Sequence, residues 1–370
     1  MSTLHAVVMA GGSGTRFWPA SRAGRPKQFL PLADGETLIA ATIARLRGVC
    51  DVEHTWIVTN AAQAAQLPAL LPDFPAAQVI VEPEARDTAP CVALATARIA
   101  ARDPGATIAM MPADHVIAPA AAFHAMLRRG AAIAADGATL VTFGVRPDHP
   151  ATGYGYVQCG AALSTAAVSA AEPRAFVAAR FCEKPDRPTA ERFVADGSYL
   201  WNSGIFVWSV AAIAAAMQHG DPALGDAYRA MLAALQTSAL PTSALAEAFR
   251  AAPRTSIDYA VMERAPRVAV VEAAGLRWND VGSFPALADI TPADAGGNHS
   301  LLGDGAQQLQ LDSRGNIVYA EGPRTVALFG VHDLVVVAVG DAVLVCPKDR
   351  AADLKQLIEH ARRQGRADLL

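Results

Sequence analysis

The sequence predicts an α/β protein with a doubly wound, mixed but mostly parallel sheet, followed by a smaller β-rich unit. Short apolar runs alternate with helical patterns up to about residue 147, as expected for a mostly parallel sheet. A glycine-rich loop follows the first of these runs, and beyond residue 299 the pattern changes to closely spaced short strands. Ligands of such sheets bind where strands end, so the glycine loop marks the candidate site.

Five apolar runs are predicted as the first strands of the sheet, at residues 6–9, 56–59, 79–81, 107–111 and 140–143. Helices are predicted between them, among them residues 37–47, which end at Gly48, and residues 88–102, which end before a Pro-Gly pair. Later strands, which would build a second half of the site, are predicted at residues 154–159, 175–182, 204–208 and 268–271. The early alternation requires crossover connections and therefore parallel strands.

The chain divides into two predicted domains, residues 1–291 and residues 299–370, joined by a Pro- and Gly-containing linker at 292–298. A final helix is predicted at residues 351–363. The short strands that precede it are predicted at residues 308–311, 316–319, 325–328, 334–339 and 343–346. The sequence shows no low-complexity segment and no recognisable internal repeat.

Composition excludes several classes of protein. The 370 residues carry 31 Lys and Arg against 35 Asp and Glu, a net charge of −4, and no basic run, which argues against a nucleic-acid partner. Five cysteines without a CxxC pair argue against structural zinc and a disulfide framework. The N-terminus has no signal pattern, and the longest apolar stretch, residues 204–217, is too short to span a bilayer. We therefore expect a cytoplasmic protein with no membrane partner.

The most informative segment is residues 10–30, AGGSGTRFWPASRAGRPKQFL. Its three glycines allow a sharp loop whose N–H groups come close to a bulky anion. Four cations follow within the segment, and together they would suit a triphosphate: Arg16, Arg22, Arg25 and Lys27. The loop is not a P-loop, because Thr15-Arg16 follows the last glycine, and it lacks the third glycine of a dinucleotide fingerprint.

This segment resembles the signature of the sugar-nucleotide pyrophosphorylases, and within them the bacterial mannose-1-phosphate guanylyltransferases, with conservative departures at Phe17 and Ala20. Further segments resemble the same family, and with the loop they span positions 10 to 283: residues 82–90, 110–115, 152–156, 181–185, 201–206, 256–263 and 278–283. The resemblance implies a nucleotidyltransferase fold, Rossmann-like, with a small β-helix-like C-terminal domain. It also implies transfer of GMP from GTP to mannose 1-phosphate, giving GDP-mannose and pyrophosphate.

The resemblance assigns candidate roles to particular residues. Catalytic roles fall to Arg16 for the leaving pyrophosphate, Lys27 for the α-phosphate, and Asp114 and Asp280 as ligands of Mg²⁺, which prefers hard oxygen donors. The nucleotide-binding residues implied are Gly11, Gly12, Gly14, Thr15, Glu82 and Thr88. Those for the sugar phosphate are Gly153, Glu183, Lys184 and Asn202. Glu82 is the candidate for guanine, because one carboxylate accepts both the ring N–H and the exocyclic amine.

Several alternatives stay open at this stage. Asp258 and Glu263 face the sugar or cap a helix, and the family often has Asn where Asp87 stands. The enzyme could instead use glucose 1-phosphate with dTTP or UTP. A non-catalytic regulatory subunit is a further alternative, although such a protein would be expected to lose charged site residues. The chain lacks the C-terminal isomerase domain of larger relatives, so we expect one activity, and a homodimer is possible.

Overall fold

The structure, a computed structural model, describes residues 2–12, 14–31, 35–163, 172–237 and 243–369. Its N-terminal strands, in chain order, are β1 (Leu4–Met9), β2 (Thr55–Asn60), β3 (Val79–Glu82), β4 (Thr107–Pro112), β5 (Val116–Ala118), β6 (Leu140–Val145), β7 (Tyr156–Ala162), β8 (Ala175–Cys182), β9 (Tyr199–Ser209), β10 (Val268–Glu272) and β11 (Arg277–Asn279). In the described ranges one sheet of nine strands has the order β3-β2-β1-β4-β9-β6-β10-β8-β7, and β5 and β11 form a separate ribbon.

The sheet is mixed and mostly parallel, which confirms the expected fold class. Only β8 and β9 among its described strands run against the others. The long central strand β9 was predicted only as residues 204–208. Its first half carries the polar pair Asn202-Ser203, and Gly204 has a φ of 70°, so the apolar run begins only there.

Helices cover both faces of the sheet. Their bounds are α1 (Leu38–Leu46), α2 (Ala61–Ala64), α3 (Leu67–Leu70), α4 (Thr88–Ala100), α5 (Ala120–Ala134), α6 (Arg187–Asp196), α7 (Val210–Gly220), α8 (Pro222–Gln236), α9 (Ala244–Ala251) and α10 (Leu354–Arg363). One core lies under α4, α7, α8 and α9, and a second lies under α1 and α5 on the opposite face. The helices predicted at residues 37–47 and 88–102 correspond to α1 and α4. No described helix is long and apolar enough to cross a membrane.

The C-terminal part is a small β-helix, as the family resemblance implies. Its strands are β12 (His299–Leu302), β13 (Gln307–Leu311), β14 (Ile317–Ala320), β15 (Thr325–Phe329), β16 (Leu334–Val339) and β17 (Ala342–Pro347). His299 pairs with Ile317, and Ile317 pairs with Val335, a constant offset of 18 positions. β13 and β15 pair with the same offset, so each coil of the helix is one 18-residue repeat.

The expectation of no internal repeat was therefore wrong. The repeat is held by stacked asparagines: Asn298 Oδ1 accepts hydrogen bonds from the backbone N–H of Asn316 (3.0 Å) and from its Nδ2 (2.9 Å). Asn316 Oδ1 in turn accepts from the Leu334 N–H at 3.0 Å. These two asparagines, each after a glycine, are the clearest mark of the repeat, because the paired strands otherwise share little beyond their apolar character: β14 and β16 have the same residue only at Val318/Val336 and Ala320/Ala338. Asn298 closes the segment predicted as a linker and is buried.

The β-helix packs directly on the glycine-loop segment. Arg25 donates two hydrogen bonds to Glu321 (2.6 and 3.0 Å), and Arg22 forms an ion pair with Asp341. Trp18 Nε1 donates to the Leu369 carbonyl at 2.7 Å. The structure thus corrects the expectation for Arg22 and Arg25: both bind carboxylates of the C-terminal part rather than serving as phosphate cations.

Candidate active site

The glycine loop connects β1 to a 3₁₀ turn at Thr15–Phe17, and two of its glycines are needed for close packing. Gly14 has a φ of 61°, and a Cβ there would overlap the Lys27 side chain and lie 2.8 Å from the Lys27 nitrogen. A Cβ on Gly11 would lie 2.9 Å from Glu82 Oε2. At Gly12 a Cβ would meet nothing within 4 Å, so that stretch of backbone is open to a ligand.

A buried polar cluster fixes the start of this loop. The Ala10 carbonyl accepts from Gln28 Nε2 (2.7 Å) and from Thr59 Oγ1 (3.0 Å), and Gln63 Oε1 accepts from Thr59 at 2.7 Å. Gln28 also reaches the Gly12 carbonyl at 3.3 Å. These side chains hold loop carbonyls toward the interior. None of these side chains was predicted to be functional, because uncharged amides and a strand threonine carry no chemical signature by themselves.

Lys27 links the two halves of the site. Its Nζ lies 2.8 Å from Asp114 Oδ2, just beyond β4, and donates to the backbone carbonyl of Asp280, just beyond β11, at 2.6 Å. The lysine side chain is 7% exposed and that of Asp114 is 34% exposed. Burial would raise the pKa of Asp114, but the Lys27 ammonium outweighs it and holds that pKa below its usual range. The carboxylate is therefore ionised at neutral pH.

The Asp280 carboxylate is oriented by two donors. Its Oδ1 accepts from the Tyr154 hydroxyl at 2.9 Å and from the Gly282 N–H at 3.1 Å. Burial and the nearby Asp280 charge raise the pKa of Tyr154, so the phenol stays protonated and donates. Tyr154 was not assigned a role, although its segment was recognised; the neighbouring Gly153 is exposed and has open space around it.

These groups surround one cavity of about 270 Å³. It is lined by Gly14, Thr15, Arg16, Phe17, Lys27, Asp114, His115, Asp280, Gly282 and Lys355. Arg16 is exposed and makes no hydrogen bond or ion pair with any residue that the structure describes, so its guanidinium is available to a ligand. The structure thus brings together all four candidate catalytic residues, although Arg16 and Asp280 are 264 positions apart in the sequence.

Two carboxylates at one phosphate-sized cavity fit a Mg²⁺ ion that takes its other ligands from phosphate and water. No cluster of three or more His, Cys, Asp or Glu side chains in the described ranges is arranged to hold a metal. His115 adds a neutral neighbour: burial lowers its pKa, and its Nδ1 accepts from Trp278 Nε1 at 3.2 Å. The oxygen donors that could hold such an ion at this cavity are the carboxylates of Asp114 and Asp280.

A second polar group lies where β9 crosses the sheet. Asn202 is buried; its Nδ2 donates to Asp258 Oδ1 at 2.9 Å, and its Oδ1 accepts from the Thr142 hydroxyl at 2.7 Å. Burial, and then the charge of Glu183, raise the pKa of Asp258 to about 7. Asp258 begins a π-helical turn, Asp258–Met262, without capping it through its side chain.

Glu183 and Lys184 adjoin this group. Lys184 Nζ lies 2.6 Å from Glu183 Oε1, and Glu263 Oε1 accepts from the Glu183 N–H at 2.8 Å. Glu183 Oε2 is buried and has no hydrogen-bond partner among the described residues. A buried carboxylate oxygen without a donor is costly, so it is suited to a ligand hydroxyl. Of the two interpretations left open for Asp258 and Glu263, helix capping is not what their described hydrogen bonds provide.

Of the nucleotide-binding candidates, Gly14 and Thr15 line the cavity beside the glycine loop, whereas Gly11, Gly12, Glu82 and Thr88 do not. Glu82 ends β3 and is buried under Gly11, and burial raises its pKa to about 7. The Thr88 hydroxyl accepts from the Ile257 N–H at 2.9 Å, which ties the start of α4 to the π-helical turn. Asp87, whose role was open, caps α4 by accepting from the Thr88 N–H at 2.7 Å, with a φ of 73°.

Comparison with known protein families identifies the class of enzyme to which the chain belongs. The family model described as nucleotidyl transferase matches residues 5–296, and a model described as a MannoseP isomerase/GMP-like beta-helix domain matches residues 306–360. Together with the glycine loop and its adjoining cavity, these matches show that the chain is a nucleotidyltransferase enzyme.

Individual relatives narrow the class. The chain is 40% identical to the mannose-1-phosphate guanylyltransferase of Escherichia coli K12 (99% of this chain, 75% of the relative). It is 37% identical to the xanthan biosynthesis protein XanB of Xanthomonas campestris pv. campestris B100 (100% and 75%). A solved structure from Thermus thermophilus, described as a mannose-1-phosphate geranyltransferase, superposes with a TM-score of 0.84 at 35% identity (97% of this chain, 99% of that one). The chain belongs to the mannose-1-phosphate guanylyltransferase family.

Proposed function

We propose that this enzyme transfers GMP from GTP to mannose 1-phosphate and releases pyrophosphate, with Mg²⁺ as cofactor. The observation that carries the proposal is the cavity of about 270 Å³ in which Arg16, Lys27, Asp114 and Asp280 meet beside the glycine loop. The name of the Escherichia coli relative at 40% identity supports the choice of mannose and guanine.

In the proposed reaction an oxygen of mannose 1-phosphate attacks the α-phosphorus of GTP, and pyrophosphate leaves. No protein nucleophile is needed, so catalysis depends on positioning and on stabilising charge. Asp114 and Asp280 would hold Mg²⁺, which neutralises phosphate charge when bound. Arg16 binds the leaving pyrophosphate with its planar fork of donors, and Lys27 adds a fixed positive charge between the two halves of the site.

The sugar phosphate is assigned to the group around Asn202. The buried Glu183 Oε2, which has no partner in the described ranges, would accept a sugar hydroxyl. Asp258 offers a second carboxyl, held in place by Asn202. Lys184 would bind the phosphate of the sugar as a point charge, exchanging part of its contact with Glu183 for it.

Guanine is assigned to Glu82. Its position at the end of β3, against Gly11 and next to the open backbone at Gly12, supports this role. Recognition requires the ionised form, because only a carboxylate accepts two adjacent donors. Since burial raises the pKa of Glu82 to about 7, GTP binding should weaken as the pH falls below 7.

The test is pyrophosphate release measured across a grid of GTP, ATP, UTP and dTTP with mannose, glucose and galactose 1-phosphates. GTP with mannose 1-phosphate should give the highest kcat/KM. A site that reads the C2 hydroxyl should prefer mannose over glucose 1-phosphate by about 10- to 100-fold, the effect of one buried polar group left unpaired. A higher kcat/KM for glucose 1-phosphate with dTTP or UTP would assign the enzyme to the alternative substrates.

A further inference from the structure

The cavity beside the glycine loop, which is the proposed phosphate site, is not built by the N-terminal part alone. Lys355, in the first turn of α10 of the C-terminal part, lines it together with Arg16 and Lys27. The lysine is exposed and makes no hydrogen bond or ion pair with another residue in the portion of the chain that the structure describes. An unpaired cation that faces an anion-binding cavity from another domain has no structural partner to explain its position.

The charges of the side chains that line the cavity show why a further cation is needed to bind a phosphate there. Lys27 is matched by Asp114 at 2.8 Å, and the second negative charge, on Asp280, offsets that of Arg16, so the charged side chains that line the cavity from the N-terminal part of the described chain leave no excess of positive charge. A terminal phosphate carries about 1.5 to 2 negative charges at neutral pH. Lys355 supplies an excess of positive charge, and with it two cations that have no ion-pair partner in the described ranges, Arg16 and Lys355, face the leaving group.

The position of Lys355 relative to the loop is fixed. Its neighbour Leu354 is 4% exposed and belongs to the same apolar core as Phe17, the residue that follows Arg16. Outside this core, the paired hydrogen bonds from Arg25 to Glu321 hold the β-helix against the loop segment. The lysine is therefore presented by a rigid base, and only its own side chain needs to move onto a ligand.

We propose that Lys355 is a phosphate-binding residue of the transfer site, and that the C-terminal β-helix thereby completes this site in addition to packing against it. The inference deepens the proposed function, on which it rests, by assigning the pyrophosphate moiety of the nucleotide to residues from both parts of the chain.

The experiment is calorimetric titration of the full chain with inorganic pyrophosphate. Lys355→Ala should weaken binding by about 5- to 30-fold, as expected for a charge-assisted contact at a partly exposed site. Lys355→Arg should stay within about 3-fold of wild type, because charge and reach are kept. The matched control is Arg362→Ala, which removes an exposed cation two turns further along α10, outside the cavity, and should bind pyrophosphate like wild type. Melting temperatures of all three variants should match wild type.

The inference is overturned if Lys355→Ala binds pyrophosphate as tightly as wild type. It is also overturned if Arg362→Ala loses as much affinity as Lys355→Ala, because the lysine and arginine charges would then act through long-range electrostatics and not through a contact with pyrophosphate. The proposed function fails separately. If wild type binds pyrophosphate with the expected dependence on Lys355 but forms no GDP-mannose, the substrate assignment is wrong and the role of Lys355 stands. If wild type does not bind pyrophosphate, both are wrong.

Discussion

Replacing Asp258 with asparagine should make the protein more stable, and the gain should grow with pH. The carboxyl group is held beside Asn202, and an asparagine keeps an oxygen that can accept from Asn202 Nδ2. Burial and the charge of Glu183 raise the pKa of Asp258 from 3.8 to about 7. The folded protein therefore holds a proton that the unfolded chain has released between these two pH values, and ionising the folded carboxyl costs stability.

The magnitude follows from that difference. Each pKa unit corresponds to about 1.4 kcal/mol, so the cost at pH 8 has an upper bound of about 4 kcal/mol. At pH 5 the folded carboxyl is still protonated, and the cost is about 1 to 2 kcal/mol. The asparagine variant avoids both costs. Its advantage over wild type should therefore increase by about 2 to 3 kcal/mol between pH 5 and pH 8, which is a few degrees in melting temperature.

The assay is the melting temperature of wild type and Asp258→Asn at pH 5 and at pH 8. Asp304→Asn, at an exposed turn of the β-helix, is the control and should not change the difference between the two pH values. Catalytic efficiency with mannose 1-phosphate at pH 8, where the wild-type carboxyl is ionised, should fall at least about 10-fold, since a sugar hydroxyl loses a charged acceptor. An equal melting difference at both pH values would refute the assigned burial of this carboxyl.

Three further outcomes are expected. Arg16→Ala should lower kcat by about 10²- to 10³-fold without changing the melting temperature, because the exposed guanidinium has no hydrogen-bond or ion-pair partner among the described residues, and Arg16→Lys should recover part of the loss. Asp280→Asn, or removal of divalent metal with EDTA, should abolish most GDP-mannose formation; activity within a few-fold of untreated wild type would contradict the metal assignment. Gly14→Ala should destabilise the fold by about 2 to 4 kcal/mol, because its φ of 61° and the contact with Lys27 leave no room for a Cβ, whereas Gly24→Ala should be nearly neutral.

The local elements of this protein were largely readable from its sequence. Strands β1 to β4 were predicted to within two residues at either end, because each is a short apolar run between turn residues. The glycine loop and the carboxylates after β4 and β11 were recognised from their motifs. The 18-residue repeat was missed because its signal is two glycine-asparagine pairs in an otherwise variable apolar pattern.

Contacts between distant residues could not be read in the same way. Lys27 reaches the Asp280 carbonyl across 253 positions, and Trp18 reaches Leu369 across 351. In the sequence, Arg16, Arg22 and Arg25 are equivalent cations of one segment. The family resemblance singled out Arg16, and the packing of the β-helix gives the physical reason, since carboxylates of that part lie next to Arg22 and Arg25 and leave Arg16 to the cavity.

The sequence by itself determined the class of fold, the glycine-rich loop and most of the charged residues that surround the cavity beside it. These features depend on local periodicity and on short motifs, in which the separation of residues along the chain fixes their distance in the structure. The tertiary structure alone decided which charges are neutralised, which carboxyls are buried, and that a lysine of the last helix joins the cavity. Those properties depend on desolvation and on the distance between charges, and neither is a function of position along the chain.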